Sequence, residues 1–260
     1  MAVFFDLPLR RIRRKWFFRV LPVLILLMLG SHAFATVELT EWTLIDPYRT
    51  WIYTNPTSES GRLDMVLGRS EVAPAWVVSD IEVPEVANIS FTVEVQGRPD
   101  RRDDDFIGFC FGYQDNEHFY LLDWKRKTQE HDWGDSVAVN DDIAEEGIRL
   151  LRIDGSWTRD GLWGGTDGIG VSTLAGPEGD GWLFDLPYEF EIKMTNERIM
   201  VSLDGDEVFN LADSSFRGGT ISLYAFSQDD VIFSNITVIP EPASFLLLGL
   251  GGLVLLIKRC

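Results

Sequence analysis

Cysteine is nearly absent from this 260-residue sequence, so the disulfide bonds that often stabilise an exported domain are not expected. The only cysteines are Cys110 and Cys260, and Cys260 belongs to a terminal segment described below, so no disulfide is expected within the domain that contains Cys110. Histidine is almost as scarce, with three residues, which argues against a zinc site. If the domain needs a stabilising cross-link, a metal ion held by oxygen atoms is the remaining candidate.

Positive charge is also in short supply. Lysine and arginine number 23 against 41 aspartates and glutamates, a formal net charge of −18. Between residues 36 and 240 the balance is 15 basic and 39 acidic residues, a net charge near −24. A surface this acidic repels nucleic acid and anionic lipid, whereas it suits a solvated envelope protein or one that binds divalent cations. Nucleic-acid binding is therefore excluded as a function.

Helical periodicity is hard to find between residues 36 and 240, where alternation with a period of two recurs instead. Short strands separated by Gly, Pro, Asp and Asn predict a single all-β sandwich, and Asp204-Gly205 predicts a hairpin turn. The predicted strands are Ile89–Val95, Ile107–Tyr113, Phe119–Trp124, Ile148–Ile153, Tyr188–Met194, Ile199–Leu203, Thr220–Phe226 and Val231–Val238. The glycine-rich segment Gly155–Trp182 is interpreted as a long loop system rather than as paired strands.

The N-terminal residues have the order of an export signal. Six basic residues between positions 10 and 19 precede the apolar run Val20–Leu29 and then Ala33-Phe34-Ala35, which predicts a signal helix that is cleaved after Ala35. An uncleaved anchor is the rival interpretation, but the apolar run is short of the roughly 20 residues that a membrane span needs.

The C-terminal residues carry a second sorting signal. Pro240, Glu241 and Pro242 precede an uncharged segment from Ala243 to Ile257 and then Lys258-Arg259, an apolar helix with a basic end that favours the cytoplasmic side. This tail resembles the PEP-CTERM signal of proteins that Gram-negative bacteria export and that an exosortase is thought to cut. The resemblance implies transient membrane contact through both ends of the precursor. An ordinary C-terminal anchor is the alternative.

Three adjacent aspartates, Asp103, Asp104 and Asp105, stand directly before a predicted strand. Aspartate is common in exposed turns, where water screens the repulsion. The alternative is a hard cation such as calcium, which takes about six to eight oxygen ligands. The triplet alone supplies too few ligands, so residues from elsewhere in the chain would have to converge on it.

Two blocks of sequence resemble the C-terminal domain of thrombospondins in order and spacing. They are DDDFIGFCFGYQDNEHFYLLDWKRKTQ and GGTISLYAFSQDDVIFSNITV, with LWGG, GW and LPYEFEIKM between them. The family's domain is a concanavalin-A-like jelly roll of two antiparallel sheets that binds calcium. The resemblance therefore implies this fold for residues 36–238, between a signal peptide at 1–35 and a sorting tail at 239–260. It also implies a calcium edge formed by Asp103, Asp104, Asp105, Gln228 and Asp229.

Two further features bear on function. Trp157, Trp163 and Trp182 lie in the glycine-rich segment, where they would form a platform for sugar rings if they are exposed and part of the core if they are not. An enzyme of the same fold would need paired carboxylates, and the nearest strings are Asp80–Glu85, which contains a proline, and Glu189 with Glu191. Both strings are poor matches, which argues against catalysis.

The sequence as a whole predicts an exported, non-catalytic jelly-roll domain stabilised by Ca²⁺. Its expected partners are the export machinery, an exosortase, and an exopolysaccharide or surface protein at the outer envelope or extracellular matrix. A glycan-cleaving enzyme of the same fold is the alternative, and a structural matrix protein with no ligand but the metal is a third reading.

Overall fold

The computed structural model describes residues 35–54, 56–66, 72–98, 103–133, 143–166 and 168–240. The predicted signal peptide up to residue 34 and the tail from residue 241 onward lie outside these residues, and so do both expected terminal helices and two residues of the sorting motif, Glu241 and Pro242. No helix in the described part of the chain is long and apolar enough to cross a membrane.

The described residues form short strands and one short helix. In chain order they are β1 (Ala35–Thr36), β2 (Thr43–Ile45), β3 (Trp51–Thr54), β4 (Ser60–Met65), β5 (Pro74–Val78), β6 (Ala87–Val95), β7 (Phe106–Asp115), β8 (His118–Lys125), β9 (Gln129–Glu130), β10 (Ile143–Ala144), β11 (Gly147–Asp154), α1 (Arg159–Gly164), β12 (Val171–Glu178), β13 (Tyr188–Met194), β14 (Ile199–Leu203), β15 (Asp206–Leu211), β16 (Thr220–Phe226) and β17 (Val231–Pro240). All eight predicted strands are confirmed, and Asp204 and Gly205 form the turn between β14 and β15 with φ of 50° and 88°.

The strands form two large antiparallel sheets. Sheet A has the order β15-β14-β13-β6-β17-β4-β3, with β1 also paired to β17. Sheet B has the order β12-β11-β8-β7-β16-β5-β2, and β9 and β10 form a separate small ladder. Both sheets combine hairpins such as β7-β8 with neighbours from distant parts of the chain, such as β6 with β17 and β7 with β16, as in a jelly roll. The predicted all-β jelly-roll sandwich is confirmed.

The main core lies between the two sheets. Alternate residues of β6 and β13 are buried and the intervening residues are not, as a strand with one solvated face requires. Phe91 of β6 stacks on Phe109 of β7 with ring centroids 4.1 Å apart. Burying one such ring stabilises the fold by about 1.5–3 kcal/mol. Trp42, Trp51 and Trp124 also belong to this cluster.

A second apolar cluster covers the outer face of sheet B. It includes Phe106, Cys110 and Leu121 from the sheet, together with Leu162 and Trp163 from α1. Because both faces of sheet B are covered, β7, β8, β11 and β16 are buried almost continuously. Burial raises the pKa of the Cys110 thiol well above its usual value, which keeps the thiol protonated and unreactive.

The interpretation of Gly155–Trp182 as a loop without paired strands is wrong. The segment contains α1, whose first turn is capped by the Thr158 hydroxyl accepting from the Gly161 N–H at 3.1 Å. It also contains β12, which pairs with β11 along the edge of sheet B. Gly176 allows this pairing, because it has φ of 87° and a Cβ there would lie 2.4 Å from the Ile148 carbonyl oxygen. Glycine here marks close backbone approach rather than the absence of a strand.

β7 changes the face on which its side chains are buried halfway along its length. Ile107, Phe109 and Phe111 face the core between the sheets, but Gly112 has φ of 58° and the register shifts after Phe111. This bulge turns Tyr113 to the outer cluster. The aromatic ring that approaches Gly108 comes from Tyr224 on the neighbouring strand β16.

Candidate functional site

The three aspartates form a turn immediately before β7, called here the acidic turn (Asp103–Asp105). Their carboxylates lie close enough for one oxygen of each to fall within 4.8 Å of the others. Asp105 is buried and Asp103 is exposed, with Asp104 between these limits. Oxygen atoms that share one calcium ion at about 2.3–2.6 Å are separated by distances of this order. The turn is therefore compact enough to contribute several ligands to one cation.

A buried lysine lies against the acidic turn. Lys125 is the last residue of β8, opposite Phe106 in the register, and its side chain is fully buried. Its Nζ donates to the carbonyl oxygen of Asp104 at 2.6 Å, to Oδ1 of Asp105 at 2.8 Å and to Oε1 of Gln129 at 2.8 Å. The sequence analysis missed this residue, although strand alternation does put Lys125 on the same outer face of sheet B as Asp123.

The carboxyl groups of the turn have perturbed acidities. Desolvation, followed by repulsion from Asp105, raises the pKa of Asp103 to about 7. Burial also raises the pKa of Asp105, although the Lys125 ammonium opposes this shift. Burial therefore disfavours the charged forms of both carboxyls. Among the described residues, the Lys125 ammonium lies against a turn of three carboxylates, so the turn favours either a proton or a further cation.

The second predicted turn, Ser227–Asp230, is buried although all four residues are polar. Ser227 and Asp230 both have φ near 60°, a left-handed conformation that costs energy for residues other than glycine. Gln228 joins the two turns, because its Oε1 accepts from the Asp105 N–H at 3.3 Å and its Nε2 donates to the Asp229 carbonyl oxygen at 2.9 Å. The structure thus brings Gln228 next to the acidic turn.

Asp229 belongs to a different carboxylate cluster. It lies with Asp64 and Asp230, again with oxygen atoms within 4.8 Å of one another, and its Oδ1 accepts from the Met65 N–H at 2.8 Å. Arg62 bonds to Asp64 and Asp230, and Arg98 lies 2.5 Å from Asp230.

The five predicted ligands therefore fall into two clusters joined by Gln228. The second cluster also contains Asp64 and Asp230, which were not among the predicted ligands. Asp230 follows Asp229 directly, but the position of Asp64 depends on strand pairing between β4 and β17.

The tryptophans of the glycine-rich segment do not form an exposed platform. Trp163 and Trp182 have no exposed side-chain surface, so the platform reading is wrong for both. Trp163 lies over the Lys125 ammonium with 4.9 Å between Nζ and the ring centroid, and Trp182 Nε1 donates to the Asp105 carbonyl oxygen at 3.1 Å. Both rings therefore pack beside the acidic turn. Trp157 is half-buried against Trp76, with centroids 5.0 Å apart.

A buried ion pair lies next to Trp163. Arg149 of β11 stands directly opposite Asp123 of β8, with Nε to Oδ1 at 2.8 Å and Nη2 to Oδ2 at 3.0 Å. The guanidinium also donates to the carbonyl oxygens of Leu162 and Trp163. These bonds satisfy both charges inside the outer cluster and hold α1 against sheet B.

Comparison with known families identifies the fold. A family model for the thrombospondin C-terminal region matches residues 66–240. The chain belongs to the thrombospondin C-terminal region family. Two zebrafish relatives are thrombospondin-3b, 29% identical over 198 residues, and thrombospondin-3a, 30% identical over 198 residues. Each alignment covers 65% of this chain but only 21% and 20% of the relative, so the chain spans about a fifth of the length of these proteins.

The fold and the tail have matches of their own. Carbohydrate-binding module CBM66 from Bacillus subtilis superposes with a TM-score of 0.51 at 14% identity, over 79% of this chain and 97% of the module, a likeness of fold alone. Residues 238–259 match the PEP-CTERM protein-sorting motif, which indicates an exported protein. Both acidic clusters contain residues from the part of the chain that the thrombospondin C-terminal model matches.

The carboxylates considered for an enzyme lie on the surface of this thrombospondin C-terminal domain. Residues 80–85 lie outside the strands, in the connection between β5 and β6. Glu189 and Glu191 are exposed on the outer face of sheet A, and Glu191 accepts from the Asn88 amide. All five carboxylates of the two sets are exposed.

Proposed function

We propose that residues 36–238 form an exported, non-catalytic binding domain that uses calcium and acts in adhesion or in binding glycan or matrix material at the envelope of a Gram-negative bacterium. The observation that carries the proposal is the family match over residues 66–240 on a chain whose end matches a sorting motif. The fold is shared with a carbohydrate-binding module, which supports a binding role by analogy.

The donor set of the acidic turn fits calcium. Asp103, Asp104 and Asp105 would supply carboxylate oxygens to the ion, and Gln228 would hold the turn in place through the Asp105 N–H. Calcium prefers oxygen ligands of this kind, and the burial that raises the carboxyl pKa values of Asp103 and Asp105 disfavours their charged forms unless a cation accompanies them. Bound calcium supplies two positive charges to the turn. Asp229 would contribute through its own cluster with Asp64 and Asp230.

Thermal melting tests the calcium part. The purified domain is melted in EDTA, in excess calcium and in magnesium at equal ionic strength. Calcium at about 100 times its Kd should stabilise the folded state by about 2.7 kcal/mol, which corresponds to roughly 5–11 °C for a domain of this size. Equal melting temperatures in EDTA and calcium would reject calcium binding.

Incubation with polysaccharide tests the binding part. The secreted domain is mixed with exopolysaccharide from its own host, and the bound fraction and the released sugars are measured together. Retention of the polymer without cleavage supports the proposal, whereas release of shorter products means that the protein is a glycan-cleaving enzyme. If the polymer is neither retained nor cleaved, the result favours a purely structural matrix protein or a protein partner.

The two ends of the chain would serve delivery. We assign residues 1–35 to a signal peptide and 239–260 to a sorting tail, so that the precursor meets the export machinery first and an exosortase later, with transient membrane contact through both ends. The test is the fate of the tail in a host strain that lacks its exosortase. There the full precursor should accumulate in the membrane fraction, and normal release of the protein would argue against this route.

A further inference from the structure

The first and last strands of the described domain are hydrogen-bonded neighbours. Ala35 lies opposite Val238 and Thr36 opposite Thr237, and the Val37 N–H donates to the Ile236 carbonyl oxygen at 3.1 Å. Because β1 and β17 run antiparallel, the chain enters at residue 35 and leaves at residue 240 from the same end of sheet A. This end, formed by the start of β1 and the last residues of β17, is called the terminal end.

The sorting motif begins inside the folded sheet. β17 continues through Pro240, which lies opposite Ala87, after Ile239 opposite Asn88 and Val238 opposite Ile89. Val238 is 5% exposed and belongs to the main core. No linker residue therefore separates the folded domain from the Pro-Glu-Pro motif, because the first proline of the motif is the last residue of the strand.

Strand pairing restricts where the tail is cut. A protease acts on a peptide segment that is free of other partners, so a bond within a paired strand reacts only in the fraction of molecules in which that strand end has opened. From residue 231 to residue 240 the backbone of β17 is paired mainly with β6, and its last part also with β1. Opening upstream of Pro240 would expose Val238 and disturb the main core, which makes the open fraction small.

We propose that the pairing of β17 sets the upstream limit of sorting cleavage, so that the bond cut lies beyond Pro240 and the mature domain keeps the whole strand. The inference rests on the proposed sorting function. In the reaction the C–N bond of one peptide group breaks, and its carbonyl carbon bonds to the oxygen of water or to an amine nitrogen of an acceptor. The departing amine of the tail takes up the proton that the nucleophile loses.

The same topology separates cleavage from the carboxylate clusters. β6 starts at Ala87 at the terminal end and runs to Val95, about 25–30 Å away for a strand of nine residues. Beyond it, the Gln96 N–H donates to the Asp230 carbonyl oxygen at 3.0 Å. The cluster that contains Asp230 thus lies at the opposite end of sheet A, and an enzyme at the terminal end would not compete with a cation there.

The mature C-terminus is the direct test. The full chain is produced in a host that carries its exosortase, the processed protein is recovered, and the mass of its C-terminal peptide is measured. The expected C-terminus is Pro240 or a later residue. A C-terminus at Ile239 or earlier overturns the inference while leaving sorting intact. A chain recovered with its whole tail overturns both the sorting part of the proposed function and this inference.

An insertion tests whether the strand restrains the enzyme. Four residues, Gly-Ser-Gly-Ser, are placed between Ile239 and Pro240, which moves the whole motif out of the sheet. The exosortase has to engage Pro240 as part of the motif, and Pro240 is paired in β17, so releasing the motif should make cleavage about two- to tenfold faster. The cut should keep its place relative to the motif. The matched control carries the same insertion between Asp204 and Gly205, in the hairpin turn far from the terminal end, and should be processed at the unmodified rate. Equal rates for all three proteins would contradict the proposal.

Discussion

Replacing Lys125 with methionine removes an ammonium that is buried against the acidic turn. The methionine keeps the apolar stem packed on Phe106 and Trp163, while it deletes the bonds from Nζ to the Asp104 carbonyl oxygen, to Asp105 and to Gln129. Asp105 is 4% exposed, so water cannot replace the lost donor. The result is a buried carboxylate without its partner.

The magnitude follows from the burial of the pair. Breaking a buried ion pair by removing one partner costs about 3–5 kcal/mol of folding free energy, which lowers the melting temperature of a domain of about 200 residues by roughly 6–20 °C. The effect should grow as the pH rises, because the raised pKa of Asp105 lets this group take up a proton under more acidic conditions. Calcium at about 100 times its Kd should offset about 2.7 kcal/mol of the loss if it binds the turn.

The assay is thermal melting in EDTA and then across a calcium titration, on the unmodified domain and on Lys125→Met. Lys127→Met is the control, because Lys127 is an exposed lysine two residues away and its loss should change stability by no more than about 0.5 kcal/mol. Calcium should stabilise Lys125→Met by more degrees than it stabilises the unmodified domain. If Lys125→Met melts within about 1 °C of Lys127→Met in EDTA, the reasoning about the buried ammonium is refuted.

Three further predictions concern the surroundings of the turn. Arg149→Met should destabilise the domain by about 3–5 kcal/mol, because Asp123 is left buried and charged, and adding Asp123→Leu should recover part of the loss in a double-mutant cycle measured by denaturant unfolding. Without calcium, stability should fall as the pH rises from about 4 to 7, because the folded state keeps a proton near Asp103, with a pKa of about 7, that the unfolded state loses near its ordinary 3.8. Asp103→Asn should flatten this dependence, and an unchanged slope would mean that other groups cause it. Trp182→Phe loses the bond to the Asp105 carbonyl oxygen and should cost about 1 kcal/mol, with no change in polysaccharide retention, since the ring is buried; a loss of retention in the folded variant would restore Trp182 as a binding residue.

The limits of sequence reasoning are visible in the outer cluster of sheet B. Period-two alternation predicts which residues share a face of a strand, but it does not predict which other element packs over that face. The burial of Trp163 depends on α1 lying across β7, β8 and β11, a packing choice set partly by the Arg149 bonds to the carbonyl oxygens of Leu162 and Trp163. A tryptophan in a glycine-rich segment is equally compatible with a surface platform until this packing is known.

Local sequence patterns were enough to predict the strands, the Asp204-Gly205 hairpin and the C-terminal sorting motif, because each depends on residues close together in the chain. The family resemblance extended this to the jelly roll. Tertiary structure alone decided which charges meet. It placed the Lys125 ammonium on the acidic turn, assigned Asp229 to the cluster of Asp64 and Asp230, and brought residue 35 beside residue 238. Such contacts depend on sheet order and register across long sequence separations, and a hydrophobic pattern carries no record of them.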